Sequence, residues 1–154
     1  MKEFSFKIVQ ATPRNLYSIA VMTKKFFPYT TFGFEEIQKR MAKNFFYYAA
    51  LFEGHTVGFV DFELKEDYAQ IFGLAVLQEF RGKGIGQALL KKAVSAAKSE
   101  AKKRRIILQR IDLLVLEEND AAKKLYEKYG FLRKGILDKE LWGKRILVYS
   151  KMMK

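Results

Sequence analysis

The sequence has no cysteine and a single histidine, His55. The chain therefore has neither disulfides nor a thiol nucleophile, and it lacks the ligands of a histidine-based zinc site, so we expect no bound metal. No apolar run approaches the roughly 20 residues of a membrane-spanning helix. Residues 4–10 alternate instead of forming the apolar core of a signal peptide. We accordingly expect a cytoplasmic protein with no membrane partner.

Acidic side chains are also scarce. Asp and Glu number 17 against 29 Lys and Arg, which gives a formal net charge of +12 at pH 7. This excess predicts an anionic partner, such as a phosphorylated coenzyme, a nucleic acid or an acidic acceptor. The alternative is a lysine-rich surface with many ion pairs, as in heat-adapted proteins. Because the charges are spread along the chain, both interpretations stay open.

The hydrophobic pattern predicts one α/β domain over residues 1–154, a length that can bury a real core. Apolar alternation and runs predict strands over 4–10, 45–53, 56–64, from about 68, and over 106–117, 131–136 and 146–152. A first helix is predicted to begin at Thr12-Pro13. Helical periodicity predicts three more helices, over 35–43, 85–103 and 121–129. The order β-α-α-β-β-β-α-β-α-β-β predicts a mixed sheet with helices on both faces.

A strand that runs into a glycine-rich turn at the start of a helix occupies the middle of the chain, IFGLAVLQEFRGKGIGQ, residues 71–87. The first N–H groups of a helix have no partner within it, and the helix dipole adds about half a positive charge there. Glycines such as Gly82, Gly84 and Gly86 let a ligand approach the backbone closely. Residues 81–87 are therefore predicted to bind a phosphate-bearing ligand.

Two common phosphate-binding motifs do not fit this turn. A Walker A loop needs Ser or Thr after Gly-Lys, whereas Lys83 is followed by Gly84. A dinucleotide fingerprint needs G-x-G-x-x-G and an acidic residue about 20 positions on at a strand end. Here the third glycine is Gly86, and at that distance the chain is still in the predicted helix.

The turn does match the pattern [RQ]-x-x-G-x-[GA], as Arg81-Gly82-Lys83-Gly84-Ile85-Gly86. This pattern is the pyrophosphate loop of the GNAT superfamily of acetyl-CoA-dependent N-acetyltransferases. After one helix and one strand, a second set of residues resembles the family's L-x-V-x-x-x-N-x-x-A-x-x-L-Y-x-x-x-G-F: Leu113, Val115, Asn119, Ala122, Leu125, Tyr126, Gly130 and Phe131. The resemblance covers about residues 68–133 and implies the family's mixed, mostly antiparallel sheet of about seven strands.

The resemblance also implies a site for acetyl-CoA and an amine acceptor. Backbone N–H groups of residues 81–87 would hold the pyrophosphate, with charge added by Arg81 and Lys83. The central strand would bond the thioester carbonyl and the pantetheine arm, and Asn119 would bond the arm or the strand edge. Tyr126 would be the general acid for the leaving thiolate. The implied coenzyme-binding residues are Leu74, Ala75, Val76, Arg81, Gly82, Lys83, Gly84, Ile85, Gly86, Gln87 and Asn119. Outside the motif, Tyr126 would be interpreted as an amphipathic core residue and Asn119 as a helix cap.

The base for the acceptor amine is less clear, because Gln70 stands where some family members carry a glutamate. Asp61, Glu63 and Asp112 are possible proton relays, and His55 is predicted to be a solvated turn residue. Neutralising a lysine-like amine at pH 7 costs about 4.6 kcal/mol, whereas an α-amine costs about 1.4 kcal/mol. A site without a strong base thus favours an α-amine as the acceptor, or a base that acts through a water molecule.

Other partners and functions stay open at this point. The aromatic segment 26–34 lies where the family has its acceptor side, but we favour a core role for its rings. A nucleic-acid module could use Lys102–Arg105, although cations also suit a helix C-terminus, and it explains neither motif. A CoA-binding sensor without catalysis is a third hypothesis, since Gln70 is no base. The acceptor could be a protein N-terminus, a lysine or a small amine, and an outer strand near the C-terminus could form a homodimer.

Overall fold

The computed structural model describes residues 3–28, 33–137, 140 and 143–153. The strands are β1 (Lys7–Gln10), β2 (Phe45–Phe52), β3 (His55–Leu64), β4 (Tyr68–Val76), β5 (Arg110–Leu116), β6 (Leu132–Ile136) and β7 (Ile146–Met152). The helices are α1 (Pro13–Phe26), α2 (Phe34–Met41), α3 (Ile85–Lys103) and α4 (Asp120–Lys128), with a short 3₁₀ turn at Gln78–Phe80. The predicted order of elements is confirmed.

The seven strands of the described chain form one sheet in the order β1-β2-β3-β4-β5-β7-β6. The described neighbours are antiparallel except for β4 and β5, which run parallel. A parallel pair needs a crossover connection, and α3 supplies it. The mixed, mostly antiparallel sheet that the resemblance implies is confirmed.

A bulge divides β4 into two halves. Asp61 of β3 pairs with Gly73, whereas the next residue, Phe62, pairs with Ile71, so Phe72 is the extra residue in β4. A bulge disrupts the ladder locally and bends the strand. The family resemblance implies a bulge in the central strand near Leu74, Ala75 and Val76, and the structure has one at Phe72.

The ladder between β4 and β5 ends at the same point. The two strands pair from Tyr68↔Arg110 to Ile71↔Leu113 and no further within the described residues. The second half of β4 remains paired with β3 on its other side. A cleft therefore opens in the middle of the sheet, beyond the bulge.

Apolar side chains pack on both faces of the sheet. Because successive strand residues point to opposite faces, Phe59 and Val60 of β3 belong to different clusters. Val60 packs with residues of α3 and α4, such as Leu89. Phe59 packs with residues of α1 and α2, such as Ile19. The prediction of helices on both faces is confirmed.

β1 and β5 are shorter than predicted, because strand ends depend on partners far away in the chain. The ladder of β1 begins only at the pair Lys7↔Leu51, so residues 4–6 precede the paired part of the strand. Phe4 instead stacks on Phe52, with their ring centroids 5.0 Å apart. Before β5, Arg105 adopts a φ of 57°. The chain thus turns after α3 before it enters the sheet.

The turn between β2 and β3 falls on Glu53 and Gly54, one residue before the predicted Gly54–His55. Their φ values of 49° and 80° suit a two-residue hairpin turn. His55 is the first residue of β3 and is exposed. The predicted hairpin over 138–143 lies largely outside the described residues. Residues 29–32 of the aromatic segment lie wholly outside them. In the part of the chain described, none of the helices combines the length and apolar character needed to cross a bilayer.

Candidate functional site

A cavity of about 740 Å³ occupies the cleft between β4 and β5. On one face of the sheet its wall comes from the start of α3, from α4 and from the second halves of β4 and β5. On the other face the wall comes from α1, α2, β2 and β3. The cavity therefore joins the two faces of the sheet, and its volume is typical of small-molecule sites, about 300–1,000 Å³.

Among the described residues, the backbone donors at the start of α3 have no helical partner and lie at the cavity wall. The N-cap, Gly84, has a φ of 84° and no side chain that could cap the helix. The first backbone hydrogen bond of the helix runs from Ala88 N–H to the Gly84 carbonyl oxygen, 3.1 Å. The N–H groups of residues 85–87 precede that bond, and these residues line the cavity. This geometry suits an anion.

Gly86 lies where the first turn of α3 approaches α4. A Cβ built on Gly86 would have its nearest contact with Leu125 Cδ2 at 3.6 Å, an ordinary van der Waals distance. An alanine would therefore fit here, in agreement with the family pattern, which accepts Gly or Ala at this position.

The two basic residues of the turn differ in position. Arg81 lines the cavity, and its Nε donates to the Val76 carbonyl oxygen at 3.0 Å, which fixes the turn to the end of β4. Lys83 is not part of the cavity wall, and its Nζ lies 4.9 Å from the ring centroid of Phe4. The geometry thus brings Arg81, but not Lys83, to the cavity.

α4 brings the second motif to the same cavity. Asn119 Oδ1 accepts from Ala122 N–H at 3.1 Å, so Asn119 is the helix cap, and it also lines the cavity. Gly130, with a φ of 89°, follows the helix end as predicted. Tyr126 is 7% exposed and lines the cavity, with its ring 6.2 Å from that of Phe131.

Every predicted site residue except Lys83 thus contributes to one cavity wall. Leu74, Ala75 and Val76 line it from β4, and Gln87 lines it from α3 with its Oε1 accepting from Tyr129 Oη at 2.8 Å. Residues that lie far apart in the sequence therefore meet as the two motifs imply. Their individual roles toward a ligand stay predictions.

Asp61 lines the opposite end of the cavity and is 4% exposed. Its Oδ1 accepts from the Gly73 N–H at the bulge, 3.1 Å. Its Oδ2 is 3.9 Å from Arg40 Nη1, and among the described residues it has no hydrogen-bond partner. Arg40 Nη1 donates to Tyr47 Oη at 3.4 Å, and Tyr47 is the cross-strand neighbour of Asp61.

Burial raises the pKa of Asp61 to about 7, because a charged carboxylate loses its hydration. The Arg40 charge and the Gly73 hydrogen bond lower that pKa in part. Burial also raises the pKa of Tyr47 above its ordinary value, and the negative charge of Asp61 raises it further. The end of the cavity away from α3 thus holds a carboxyl that titrates near neutrality.

The other groups considered as bases lie outside the cavity wall in the described chain. Gln70 lies between Glu63 and Asp112 of the adjacent strands. Glu63 pairs with Lys65 at 3.4 Å, and Asp112 is hydrogen bonded by Arg110 and Ser150. Within the described residues, Asp61 is the candidate carboxylate that lines the cavity.

Sequence reasoning missed the partners of Asp61. Arg40 comes from α2, Tyr47 from an apolar run in β2, and the Gly73 donor from the bulge, so no local motif connects them. The period-two pattern places Tyr47 and Asp61 on one face, but only the strand register makes them neighbours.

The basic run at the end of α3 has ordinary partners. Lys103 pairs with Glu100 at 3.4 Å, and Arg104 Nη1 donates to Asn44 Oδ1 at 2.6 Å. Lys102 and Lys103 occupy the last turn of the helix. These positions favour the helix-dipole interpretation of the run.

Comparison with known proteins agrees with this geometry. The family model described as "Acetyltransferase (GNAT) family" matches residues 13–131. A candidate ribosomal protein bS18-alanine N-acetyltransferase of Bacillus subtilis is 32% identical over 84 residues, 54% of this chain and 52% of that protein. An uncharacterized N-acetyltransferase of Methanocaldococcus jannaschii is 34% identical over 111 residues, 68% of this chain and 46% of that protein. The matched segments thus span about half the length of these curated relatives.

The solved structure of Ard1 from Thermoplasma volcanium has the same fold. Its TM-score is 0.80 at 20% identity, over 97% of this chain and 98% of that one. Since the family model covers more than half of the sequence, including both motifs that meet at the cavity, this chain belongs to the GNAT acetyltransferase family.

Proposed function

We propose that the protein transfers an acetyl group from acetyl-CoA to a primary amine. The observation that carries the proposal is that one cavity passes through the β4–β5 cleft. It joins a backbone anion site on one face of the sheet to a buried carboxyl on the other. Two substrates that enter from opposite faces would meet at the cleft.

The start of α3 is the proposed site for the pyrophosphate of the coenzyme. The N–H groups of residues 85–87 offer donors that need no side chain, and the dipole of a 19-residue helix favours negative charge there. Arg81 adds a guanidinium at the cavity wall. Because Arg81 is bonded to β4, its charge is already in position before a ligand arrives.

The second half of β4 is the proposed site for the pantetheine arm and the thioester carbonyl. Leu74 to Val76 pair with β3 along one edge, whereas the ladder to β5 on the other edge ends at Ile71 among the described residues. Backbone groups along that second edge can bond the amides of the arm as a neighbouring strand would. A single preorganised donor to a developing oxyanion is worth about 3–4 kcal/mol.

Tyr126 is the proposed acid for the leaving thiolate. Acetyl-CoA supplies an acetyl group activated as a thioester. Proton donation from a tyrosine with a pKa near 10 to a thiolate whose acid has a pKa near 8.5 is uphill by about 2 kcal/mol. A hydrogen bond from Tyr126 to the sulfur would already stabilise the departing charge. Its position in the cavity wall, on the same side as the start of α3, supports this role.

The acceptor is proposed to be a protein N-terminus, a lysine or a small amine. The Bacillus subtilis relative is described as acting on an alanine of ribosomal protein bS18, although the match spans about half of that protein. An α-amine is also the least costly to neutralise, at about 1.4 kcal/mol at pH 7. We therefore place a peptide that begins with alanine first among the acceptors to be tested.

The test is acetyl transfer to a panel of amines. It contains an alanine-starting peptide, an N-blocked peptide with one lysine, and spermidine. Because the chain has no cysteine, a thiol reagent that detects released CoA gives no protein background. Amine-dependent release with at least one acceptor, together with the acetylated product by mass spectrometry, is expected. Absence of release for every amine while acetyl-CoA binds would instead support the sensor hypothesis.

A further inference from the structure

The buried carboxyl of Asp61 has one oxygen in use and one without a hydrogen bond. Oδ1 accepts from Gly73 N–H, whereas Oδ2 faces Arg40 Nη1 at 3.9 Å, beyond hydrogen-bond distance. Among the described residues no donor satisfies Oδ2. A buried polar atom without a partner is costly, and Asp61 lines the cavity. Asp61 is therefore a buried carboxyl at the cavity wall that can still accept a hydrogen bond from a donor that the ligand supplies.

A structural role alone does not require the negative charge. An asparagine oxygen could accept the same bond from Gly73 without the desolvation cost of a carboxylate. The charge also does not form a close ion pair, since Asp61 Oδ2 and Arg40 Nη1 are 3.9 Å apart. A charged donor from the acceptor substrate is the partner that would make use of the carboxylate.

The position of Asp61 relative to β4 is also suitable. Its Oδ1 is bonded to Gly73, the residue directly before Leu74. Adjacent strand residues are separated by about 3.3 Å along the strand, and Leu74 begins the edge proposed to bond the thioester. A group held at Asp61 would thus lie close to the proposed position of the thioester.

Given the proposed function, on which this inference rests, we propose that the Asp61 carboxyl binds the ammonium group of the acceptor and removes its proton before acetyl transfer. The wall around it includes the rings of Phe27, Phe59 and Phe72, so the group next to the amine is expected to be small or apolar. The acceptor class is a primary amine with an apolar neighbour, such as an N-terminal alanine.

The surrounding charges suit a base. In the described chain, the charged and titratable groups around Asp61 are Arg40 of α2 and Tyr47 of β2, with Glu36 of α2 acting on Tyr47. β4 contributes Gly73 and α1 contributes aromatic rings, neither of which titrates. The Arg40 cation disfavours a second cation nearby, which favours the neutral, nucleophilic form of the bound amine. The pKa of Asp61 at about 7 agrees with a base that works near neutral pH.

The proton balance of the step is complete. The ammonium gives one proton to Asp61, which later releases it to water. The C–N bond then forms as the C–S bond breaks, and the nitrogen gives a second proton to water. The sulfur receives one proton from Tyr126, which regains it from water. One proton is released to solvent overall, and no oxidant or further reactant is needed.

The test compares wild-type protein with Asp61→Asn, which keeps the acceptor for Gly73. With the alanine-starting peptide at saturating acetyl-CoA, kcat/KM at pH 7 should fall by about 10²–10⁴-fold. The ratio of wild-type to variant activity should shrink as pH rises to 9, because more of the amine is then already neutral. A merely structural defect would lower activity by the same factor at every pH.

The matched control is Glu66→Gln, which removes an exposed carboxylate from the turn between β3 and β4. Its activity and pH profile should equal those of the wild type. Acetyl-CoA affinity, measured by calorimetry, should be unchanged in both variants. A carbon-13 NMR titration of the free wild-type protein should find the Asp61 carboxyl titrating near pH 7, a readout that needs neither substrate nor a folded variant.

The outcomes separate this inference from the function on which it rests. If wild-type protein acetylates no amine, the proposed function fails and the role of Asp61 fails with it. If wild-type protein is active and Asp61→Asn is within about two-fold of it, or if the loss is the same at every pH, only the inference about Asp61 is overturned. An Asp61 carboxyl that titrates near pH 4 in the NMR experiment overturns it as well.

Discussion

Asp61→Asn should stabilise the folded protein, and by more at pH 8 than at pH 5. The pKa of this carboxyl rises from 3.8 to about 7 on folding, chiefly because it is buried. The folded state therefore holds the proton more tightly than the unfolded state. Between these two pKa values the unfolded chain loses its proton first, so the stability of the wild-type protein falls as pH rises, and above about pH 7 the fall is complete.

The size of the effect follows from the two pKa values. A rise from 3.8 to about 7 is about three pH units, and at 1.36 kcal/mol each it corresponds to about 4 kcal/mol at pH 8. About 3 kcal/mol of that loss falls between pH 5 and pH 8. Asparagine cannot ionise, so the variant does not lose this stability. The substitution can also change the free energy of unfolding by an amount that does not depend on pH. This amount cancels when the difference between variant and wild type at pH 8 is compared with that at pH 5.

The assay is urea denaturation of wild-type, Asp61→Asn and Glu66→Gln proteins at pH 5, 6, 7 and 8. The free energy of unfolding of Asp61→Asn relative to wild type should increase by about 3 kcal/mol from pH 5 to pH 8. Glu66→Gln, which lacks an exposed carboxylate, should track the wild type. A stability difference for Asp61→Asn that is equal at all four pH values would refute the assignment of a buried, near-neutral carboxyl.

Two further predictions concern packing and chemistry. Gly58→Ala should destabilise the protein by about 1–3 kcal/mol, because its Cβ would lie 2.9 Å from the Ala75 carbonyl oxygen; Gly135→Ala, which meets nothing within 4 Å, should be neutral in the same denaturation assay. Equal effects would contradict the close approach of β3 and β4. Tyr126→Phe should lower kcat by about ten-fold or more with acetyl-CoA affinity unchanged, whereas Tyr17→Phe, at an exposed tyrosine, should be silent in the steady-state assay. An unchanged kcat would remove Tyr126 as the acid and leave the enzyme assignment intact.

Local spacing made the α3 half of the site predictable. The glycines of the turn are needed where the backbone adopts positive φ or meets a ligand, so they recur at fixed intervals next to the strand and the helix. Asn119 and Gly130 delimit α4 by capping rules that act over a few residues. These constraints are short in range, and a sequence displays them directly.

The acceptor half depends on long-range register. Tyr47, Asp61 and Gly73 are lateral neighbours on three strands, and the bulge at Phe72 aligns Gly73 with Asp61. Arg40 reaches them from a helix outside the sheet. The ends of β1 and β5 were mispredicted for a related reason, since each strand stops where its partner stops. The sequence specifies these features through tertiary contacts, which periodicity does not report.

The central claim is that the backbone at the start of α3 binds the pyrophosphate of acetyl-CoA. Its most direct test is calorimetric titration of acetyl-CoA into wild-type protein, Gly86→Ala and Gly86→Phe. A Cβ at Gly86 meets only ordinary contacts, so the alanine variant is a matched control. A phenyl ring would extend toward Leu125, Leu74 and Val76, which line the cavity, and would take up cavity space next to the start of α3. Binding to wild type and Gly86→Ala but not to folded Gly86→Phe is the predicted result. Undiminished binding to Gly86→Phe, or none to the wild type, would contradict the account.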